Sequence, residues 1–144
     1  MLPSTTSIQV NDQTCEIDQI AKNLSTEPMI VQSYKVKTDK ITPREVTSTR
    51  SSSSKDFIYI QTTDSLIILT HDHKVFSEGE WIRADRVTKE LKLLNSSLDP
   101  ISIKDIHKIH NNTSQKVYNL TVQDTECFFA NDILVHNHST DGQS

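Results

Sequence analysis

Residues 117–137 read VYNLTVQDTECFFANDILVHN. The run VYNLTV and the shorter ILV at 133–135 consist mainly of apolar and β-branched residues, which is typical of strands. The last of these stretches ends at the dipeptide His136-Asn137, and the polar residues HSTDGQS follow it. The segment therefore raises the question of why a strand should stop at a His-Asn pair with a short polar tail behind it.

Composition limits the possible classes of protein. A chain of 144 residues is long enough for one domain with a real core and too short for two. Its net charge of −4, without any block of Lys or Arg, argues against nucleic-acid binding. No apolar run is long enough to span a membrane, and residues 1–10 lack the features of a secretory signal. We therefore expect a cytoplasmic protein, with Cys15 and Cys127 reduced and packed as small apolar side chains.

Short strands dominate the rest of the sequence. Alternating or β-branched runs occur at 7–10, 14–20, 29–38, 56–62, 65–70 and 101–109, and polar clusters separate them. Many short strands with turn signals between them predict an all-β barrel or sandwich-like fold. Because glycine is scarce, the turns must use Asn, Asp and Ser, which tolerate left-handed backbone or form Asx turns.

Two stretches have helical character. EIDQIAKNL at 16–24 predicts a short helix. RADRVTKELKLL at 83–94 is the stronger candidate, because Val87, Leu91 and Leu94 would share one helical face.

Three polar stretches predict breaks between elements. TSTRSSSSKD at 47–56 is interpreted as a flexible hairpin tip between two strands. LLNSSLDP at 93–100 ends the second helical stretch, since Pro100 does not allow the helix to continue. Residues 138–144 are interpreted as a fraying polar tail.

The His136-Asn137 pair carries a specific chemistry. An Asn carboxamide can attack its own backbone carbonyl, close a five-membered succinimide and cut the following peptide bond. The reaction is slow in ordinary proteins, because the amide nitrogen is a poor nucleophile and the leaving amine needs a proton. A His directly before the Asn can supply that proton or a hydrogen bond to the carbonyl. The pair is therefore a candidate self-cleaving unit, although an ordinary strand end with an Asn turn gives the same dipeptide.

A second motif strengthens this interpretation. SLIILTHDHKVFS places Thr70 and His73 in a T-x-x-H arrangement directly after a strand that is predicted to be buried. An imidazole at this position, helped by the Thr hydroxyl, could hydrogen-bond to a scissile amide and distort it.

The histidines also allow a different class of function, a metal-binding β-domain. His71 and His73 alternate onto one strand face, and HKIH adds His107 and His110. Residues three apart on a strand point to opposite faces, so the last two do not converge easily. A plain β interaction module, in which these motifs occur by chance, is the third interpretation.

With these motifs in order, the chain resembles an intein, the self-splicing Hint domain that shares its fold with hedgehog autoprocessing domains. LTHDHKVF resembles the block with T-x-x-H, and EGEWIRADRV resembles the segment after it. VYNLTVQDTECFFANDILVHN resembles the C-terminal blocks, and LPSTTSIQV followed by CEIDQI resembles the opening block. The resemblance covers residues 1–137.

The resemblance implies an all-β, horseshoe-like Hint fold with pseudo-two-fold symmetry, in which both ends of the domain meet at one active site. Residues 1–137 would form the splicing domain, and residues 138–144 would be C-terminal extein or flanking tail. LLNSSLDP at 93–100 occupies the place of the homing endonuclease of larger inteins, which implies a mini-intein. The implied partners are flanking exteins in cis. A monomer without metal, cofactor, nucleic acid or membrane is expected.

Four positions depart from the intein pattern. Met1 stands in the place of the first nucleophile, usually Cys or Ser, and His138 stands where Cys, Ser or Thr normally follows the terminal Asn. Neither side chain can form the ester that ligation needs. Asn119 replaces a common Asp that helps to couple the steps, and Glu126 replaces a common second His.

These departures predict a splicing-deficient domain, whose remaining reaction is a slow cyclisation of Asn137 with cleavage before His138. A bacterial intein-like domain or a hedgehog-type self-cleaving domain is the alternative within the same superfamily. Since both junctions of an intein share one site, we expect residue 1 and Asn137 in one cleft, with His73 close to residue 1.

Overall fold

A computed structural model describes residues 1–137. They form one sheet in which all paired strands are antiparallel, together with one short helix, α1, at Ile17–Asn23. Two single turns of 3₁₀ helix lie at Val36–Thr38 and Ala84–Arg86. The strands are β1 Leu2–Pro3, β2 Ser7–Val10, β3 Gln13–Glu16, β4 Ile30–Lys35, β5 Lys40–Thr62, β6 Leu66–Leu69, β7 Lys74–Ser77, β8 Glu80–Arg83, β9 Lys92–Leu94, β10 Pro100–Val122, β11 Cys127–Ala130 and β12 Ile133–His136.

The sheet is built from two halves with the same connectivity. In the first half β2 pairs with β3 and β4, β4 pairs with β5, and β5 pairs with β6. In the second half β7 pairs with β8 and β9, β9 pairs with β10, and β10 pairs with β1. Helix α1 follows β3, and the second 3₁₀ turn follows β8 at the corresponding point. This repetition confirms the all-β fold with pseudo-two-fold symmetry, although the sequence shows no repeat at a fixed period.

The two halves meet along β5 and β10, which pair with each other from Val46 opposite Val122 to Thr62 opposite Ile103. The hairpin tip predicted at 47–56 is wrong, because these residues lie inside β5. Residues 51–54, all serine, pair with residues 115–118 of β10. Backbone hydrogen bonds hold this strand, and they do not require β-branched side chains. A serine run alone therefore does not distinguish a solvated loop from an exposed strand.

The helix predicted at 83–94 is also wrong. Ala84–Arg86 form a 3₁₀ turn, and the end of the stretch is strand β9. Leu93 lies in the main hydrophobic core, whereas Leu94 packs against a second apolar cluster on the other side of the sheet. Adjacent residues on opposite faces are the arrangement of a strand. Pairing of β9 with both β7 and β10 overrides the helical pattern of its apolar residues.

Other local predictions are confirmed. Helix α1 lies within the predicted stretch 16–24 and buries Ile17 and Ile20. The break at 93–100 contains a turn in which Asn95 Oδ1 accepts the backbone N–H groups two and four residues further on. Among residues 1–137, no helix is long and apolar enough to cross a membrane. Turns with left-handed backbone mostly use Asn or Asp, namely Asn11, Asp12, Asp39, Asp124, Asn131 and Asp132.

Both cysteines carry free thiols, as the sequence predicts. Cys127 is fully buried, and its Sγ donates a hydrogen bond to the carbonyl of Tyr34 at 3.3 Å. Burial raises the pKa of the Cys127 thiol above its ordinary value. A raised pKa disfavours the reactive thiolate, and Cys127 packs as a small apolar side chain.

The hairpin of β11 and β12 lies between two apolar clusters, and this placement determines where the side chains of residues 133–136 point. Ile133 and Val135 of β12 point into the main core, whereas Leu134 points into the second cluster. We call the second cluster the aromatic cluster. His136 follows Leu134 by two residues, and its ring contacts Trp81 at the edge of the aromatic cluster. Strand alternation thus sends His136 and Asn137 to different sides. The members of the aromatic cluster are Tyr34, Phe76, Cys127, Phe129 and Leu134, with Trp81 among the residues packed against them.

Candidate functional site

A cavity of about 250 Å³ brings the two ends of the described chain together. It includes six of the eight site residues predicted from the sequence. The side chain of Glu126 is exposed and is not among the lining residues, and His138 lies outside the described residues. The lining residues are Met1, Ser52, Ser53, Ser54, Thr70, Asp72, His73, Lys74, Val117, Asn119, His136 and Asn137.

Asn137 is held through both its backbone and its side chain. Its backbone N–H donates to the carbonyl of Glu126 at 2.8 Å. Its Oδ1 accepts the backbone N–H of Val122 at 3.1 Å. Asn137 is 2% exposed, so water competes little for these two hydrogen bonds. The end of β10 and the turn that follows it therefore fix the orientation of the carboxamide relative to the main chain of Asn137.

The imidazole of His136 lies against the carbonyl that cyclisation would attack. Its Nδ1 is 2.5 Å from the carbonyl oxygen of Asn137. A carbonyl oxygen can only accept a hydrogen bond, so Nδ1 is the protonated ring nitrogen and its N–H donates the hydrogen bond. A hydrogen bond at this oxygen polarises the carbonyl and stabilises the negative charge that develops on it during attack.

The T-x-x-H segment forms a turn around residue 1. The Met1 amino group donates to Thr70 Oγ1, and the Thr70 N–H donates to the Met1 carbonyl at 2.9 Å. Thr70 Oγ1 in turn donates to Asp72 Oδ1 at 3.0 Å. The N–H of His73 donates to the Thr70 carbonyl at 3.1 Å and closes the turn. Buried His73 therefore shares the cavity with Met1 and Asn137, as the sequence predicts.

The nitrogen of Met1 lies in a poorly solvated place. Burial lowers the pKa of its amino group to about 5, and the nearby Asp72 carboxylate acts in the opposite direction. Whenever a residue precedes Met1, the same nitrogen belongs to the upstream peptide bond. That bond would then lie beside the Thr70 hydroxyl.

Asn119 and Glu126 occupy different kinds of position. Asn119 is buried at the cavity, and its Oδ1 accepts the N–H of the next residue, Leu120, at 2.9 Å. Glu126 has a left-handed backbone with φ of 58°, and it meets the site through its carbonyl, which accepts from Asn137. The resemblance to inteins places the Glu126 side chain where a second His is common. In the structure, however, Glu126 contacts the site through its backbone carbonyl and not through that side chain.

The histidines do not converge on a metal. His107 pairs with Asp105 at 2.7 Å and His110 pairs with Asp56 at 2.6 Å. Both pairs are exposed on the β5–β10 ribbon, away from buried His73. Within residues 1–137, no group of three or more His, Cys, Asp or Glu side chains could hold a metal ion. The geometry gives the metal-binding interpretation no support.

Sequence reasoning missed two residues that contact His136 or Asn137, and for Glu126 it pointed to the side chain and not to the backbone carbonyl. Val122 and Glu126 act through backbone atoms, which leave no side-chain signal in a single sequence. Trp81 contacts the His136 ring from β8. Its only sequence signal is its place in EGEWIRADRV, soon after the T-x-x-H motif.

An open antiparallel sheet of two related halves, with residues 1 and 137 in one cavity beside a T-x-x-H turn and a His-Asn pair, defines the Hint class of self-processing domains. Within that class, the sequence profile described as the pretoxin HINT domain matches residues 10–138. The chain belongs to the pretoxin HINT domain family. None of the curated proteins compared with the chain matches it significantly.

Solved structures with the same fold include intein-like domains and inteins. A bacterial intein-like domain from Clostridium thermocellum aligns with a TM-score of 0.84 and 20% identity, over 94% of this chain and 97% of its own. A DnaB intein from Synechocystis sp. PCC 6803 aligns with a TM-score of 0.83 and 20% identity, over 96% and 98%. The DnaX mini intein from Spirulina platensis aligns with a TM-score of 0.76 and 22% identity, over 94% and 98%.

Proposed function

We propose that this domain cleaves its own chain between Asn137 and His138 by asparagine cyclisation and so releases the segment that follows. The observation that carries the proposal is the 2.5 Å hydrogen bond from His136 Nδ1 to the carbonyl oxygen of Asn137. The carbonyl of the bond to be cut is thereby already polarised. The carboxamide of the same residue is held by Val122.

The reaction balances without a cofactor. The Nδ2 atom of Asn137 attacks its own backbone carbonyl carbon, and the ring closes as that nitrogen loses one proton. The C–N bond to His138 breaks, and the leaving nitrogen takes up one proton to become an amine. His136 donates a hydrogen bond to the carbonyl oxygen throughout, and it is the group placed to pass a proton onward. The products are a C-terminal succinimide at Asn137 and a free segment that begins with His138.

Ligation is not part of the proposed reaction. It needs a hydroxyl or thiol at residue 1 and another after Asn137, to form the ester or thioester, and neither Met1 nor His138 has one. Thr70 still contacts the main chain of residue 1, where inteins form their first ester, and His73 lines the same cavity. We infer that the part of the splicing site around residue 1 keeps its architecture, with Thr70 and His73 in place. The nucleophilic side chain that would react there is missing, because residue 1 is Met.

The substrate is the chain's own downstream flank. Residues 1–137 serve as the processing domain and residues 138–144 as the beginning of the released segment. The matching family is described as a pretoxin HINT domain, and release of a downstream segment is a reaction that a precursor requires. The described site draws on one copy of the chain, so a monomer suffices. The short connection between β9, which ends at Leu94, and β10, which begins at Pro100, supports a domain without an endonuclease at this point.

A fusion with a reporter domain after Ser144 tests the proposal. Warm incubation should release a fragment whose N-terminal residue is His138, and its partner should end in a succinimide at Asn137. A contaminating protease would instead leave a free carboxyl group, one water heavier than the succinimide. His136→Ala serves as the matched control, since it keeps the nucleophile and removes the hydrogen bond to the carbonyl. A hydrolysed Asn137 terminus in every early sample would refute cyclisation.

A further inference from the structure

The ring of Trp81 lies against the imidazole of His136. Their centroids are 4.8 Å apart and their planes meet at 82°, which is an edge-to-face contact. Such contacts stabilise a defined orientation of both rings. Trp81 comes from β8, which pairs with β7, whereas His136 ends β12 on the other side of β7. The contact therefore spans three strands.

Trp81 is itself supported by a row of rings. It pairs across the strands with Phe76, at a centroid distance of 5.0 Å and an angle of 62°. Phe76 meets Tyr34 at 5.7 Å, and the Tyr34 hydroxyl donates to Asp39 Oδ1 at 2.5 Å. The row runs from Tyr34 through the aromatic cluster to the imidazole. Tyr34 lies on β4, Phe76 on β7 and Trp81 on β8, so three packed rings support the side of the His136 imidazole that Trp81 contacts.

His136 needs such a surface, because one hydrogen bond does not fix a ring. The bond from Nδ1 to the Asn137 carbonyl oxygen sets the position of one atom. Rotation about the bond from Cβ to the ring would still tilt the N–H away from the carbonyl. An edge-to-face neighbour restricts this rotation, since tilting the imidazole would break its contact with the indole.

We propose that Trp81 is a positioning residue, which holds the His136 imidazole in the orientation that polarises the scissile carbonyl. The inference rests on the proposed cleavage after Asn137. Trp81 is not among the described residues that line the cavity. Trp81 acts through its contact with His136, and that contact can be tested separately from the cleavage reaction.

A double-mutant cycle tests whether Trp81 acts through His136. Trp81→Leu should slow release of the downstream segment by about 10- to 100-fold, since small misplacements of catalytic groups cost on the order of 100-fold. Trp81→Phe should retain most of the rate, because it keeps an aromatic edge or face. In a His136→Ala background, Trp81→Leu should cause no further loss. An equal loss in both backgrounds would show that Trp81 supports only the general fold.

A packing control separates the contact from loss of stability. Phe57→Leu removes a fully buried ring, on β5, a strand that does not pair with β12. Because Trp81 is only partly buried, Phe57→Leu should lower the unfolding midpoint at least as much as Trp81→Leu, and it should leave the cleavage rate near that of the parent chain. If Phe57→Leu slows cleavage as much as Trp81→Leu, the rate follows stability and the inference is wrong.

Fluorescence gives a readout that does not depend on cleavage. Trp81 is the single tryptophan of the sequence, and an imidazole in contact with the indole alters its emission. In an Asn137→Ala chain, which stays intact, His136→Ala should therefore change the emission. His110→Ala, at an exposed position on β10, is the matched control and should leave it unchanged. Equal emission from all three chains would overturn the contact. If His136→Ala changes the emission but the parent chain never cleaves, the proposed function fails and the contact stands.

Discussion

His136 Nδ1 lies 2.5 Å from the carbonyl oxygen of Asn137, so the side chain of one residue binds the main chain of the next. This proximity does not require a long-range contact, because the two residues are neighbours in sequence. What the fold adds is direction. β12 sends His136 towards the aromatic cluster, and the end of β10 holds the Asn137 carboxamide through the N–H of Val122. The His-Asn dipeptide becomes a reactive pair only because both orientations are fixed.

Removing the imidazole should slow cleavage without stopping it. His136→Ala leaves the carboxamide of Asn137 in place and removes the hydrogen bond to the carbonyl. The expected loss is about 10²–10⁴-fold, the usual range for a general acid or base. The rate is measured as release of a reporter fused after Ser144, followed on gels over days. An unchanged rate would show that the imidazole does not take part.

Glu126 should tolerate changes of its side chain, because its contact with Asn137 uses the backbone carbonyl. Glu126→Gln should cleave at nearly the parent rate. Glu126→Gly should do the same, since glycine accepts the left-handed backbone at this position. Glu126→Val should lower the free energy of unfolding by roughly 1–2 kcal/mol, because a β-branched residue is strained there. Urea unfolding and the cleavage rate check both parts. A tenfold slower Glu126→Gln chain, folded as well as the parent, would assign a role to the carboxylate.

Stability should fall as the pH falls from about 8 to about 5 when Met1 is the first residue. Its amino group has an ordinary pKa of 8.0, and burial lowers that pKa to about 5 in the folded chain. Between these values the unfolded chain binds a proton that the folded chain does not, which favours unfolding. One proton contributes at most about 1.4 kcal/mol per pH unit. The carboxylates of Asp56, Asp85 and Glu90 have lowered pKa values, so they titrate below this window.

Urea midpoints at pH 8 and pH 6 measure this dependence, and an N-terminally acetylated chain is the matched control. Acetylation removes the titrating group and should flatten the profile. If both chains show the same slope, the amino group of Met1 is not its source.

Restoring both nucleophiles should restore ligation. Met1→Cys with His138→Cys, placed between two flanking domains, should join those domains and release the 137-residue segment between them, because Thr70 and His73 still surround residue 1. Met1→Cys alone is the control and should cleave without ligating. A gel of the incubated fusion shows the ligated product by its size. A folded double variant that yields no ligated product would contradict the proposed relation to splicing domains.

Local sequence patterns predicted much of the fold, and tertiary context decided the rest. The β-branched runs at 7–10, 56–62 and 117–122 lie in strands, as expected. The serines at 51–54 are equally typical of a loop, and the apolar residues of 83–94 are spaced as in a helix. Their strands form because β10 and β7 offer partners, and that information lies far away in the chain.

The site was predictable where side chains carry the chemistry. Thr70, His73, His136 and Asn137 belong to short motifs, and they do share one cavity. The N–H of Val122 and the carbonyl of Glu126 belong to the backbone, so no residue type signals them. Trp81 reaches His136 across three strands, and only the order of those strands in the sheet reveals the contact.

The intact mass of a long-incubated sample tests the central claim most directly. The parent chain should lose HSTDGQS and end in a succinimide at Asn137, and Asn137→Ala should keep its full mass under the same conditions. Alanine has no group that can cyclise, so the expected loss of the reaction is complete. Release of the same segment from Asn137→Ala would contradict the account, because cleavage would then proceed without the carboxamide that His136 and Val122 are arranged to support.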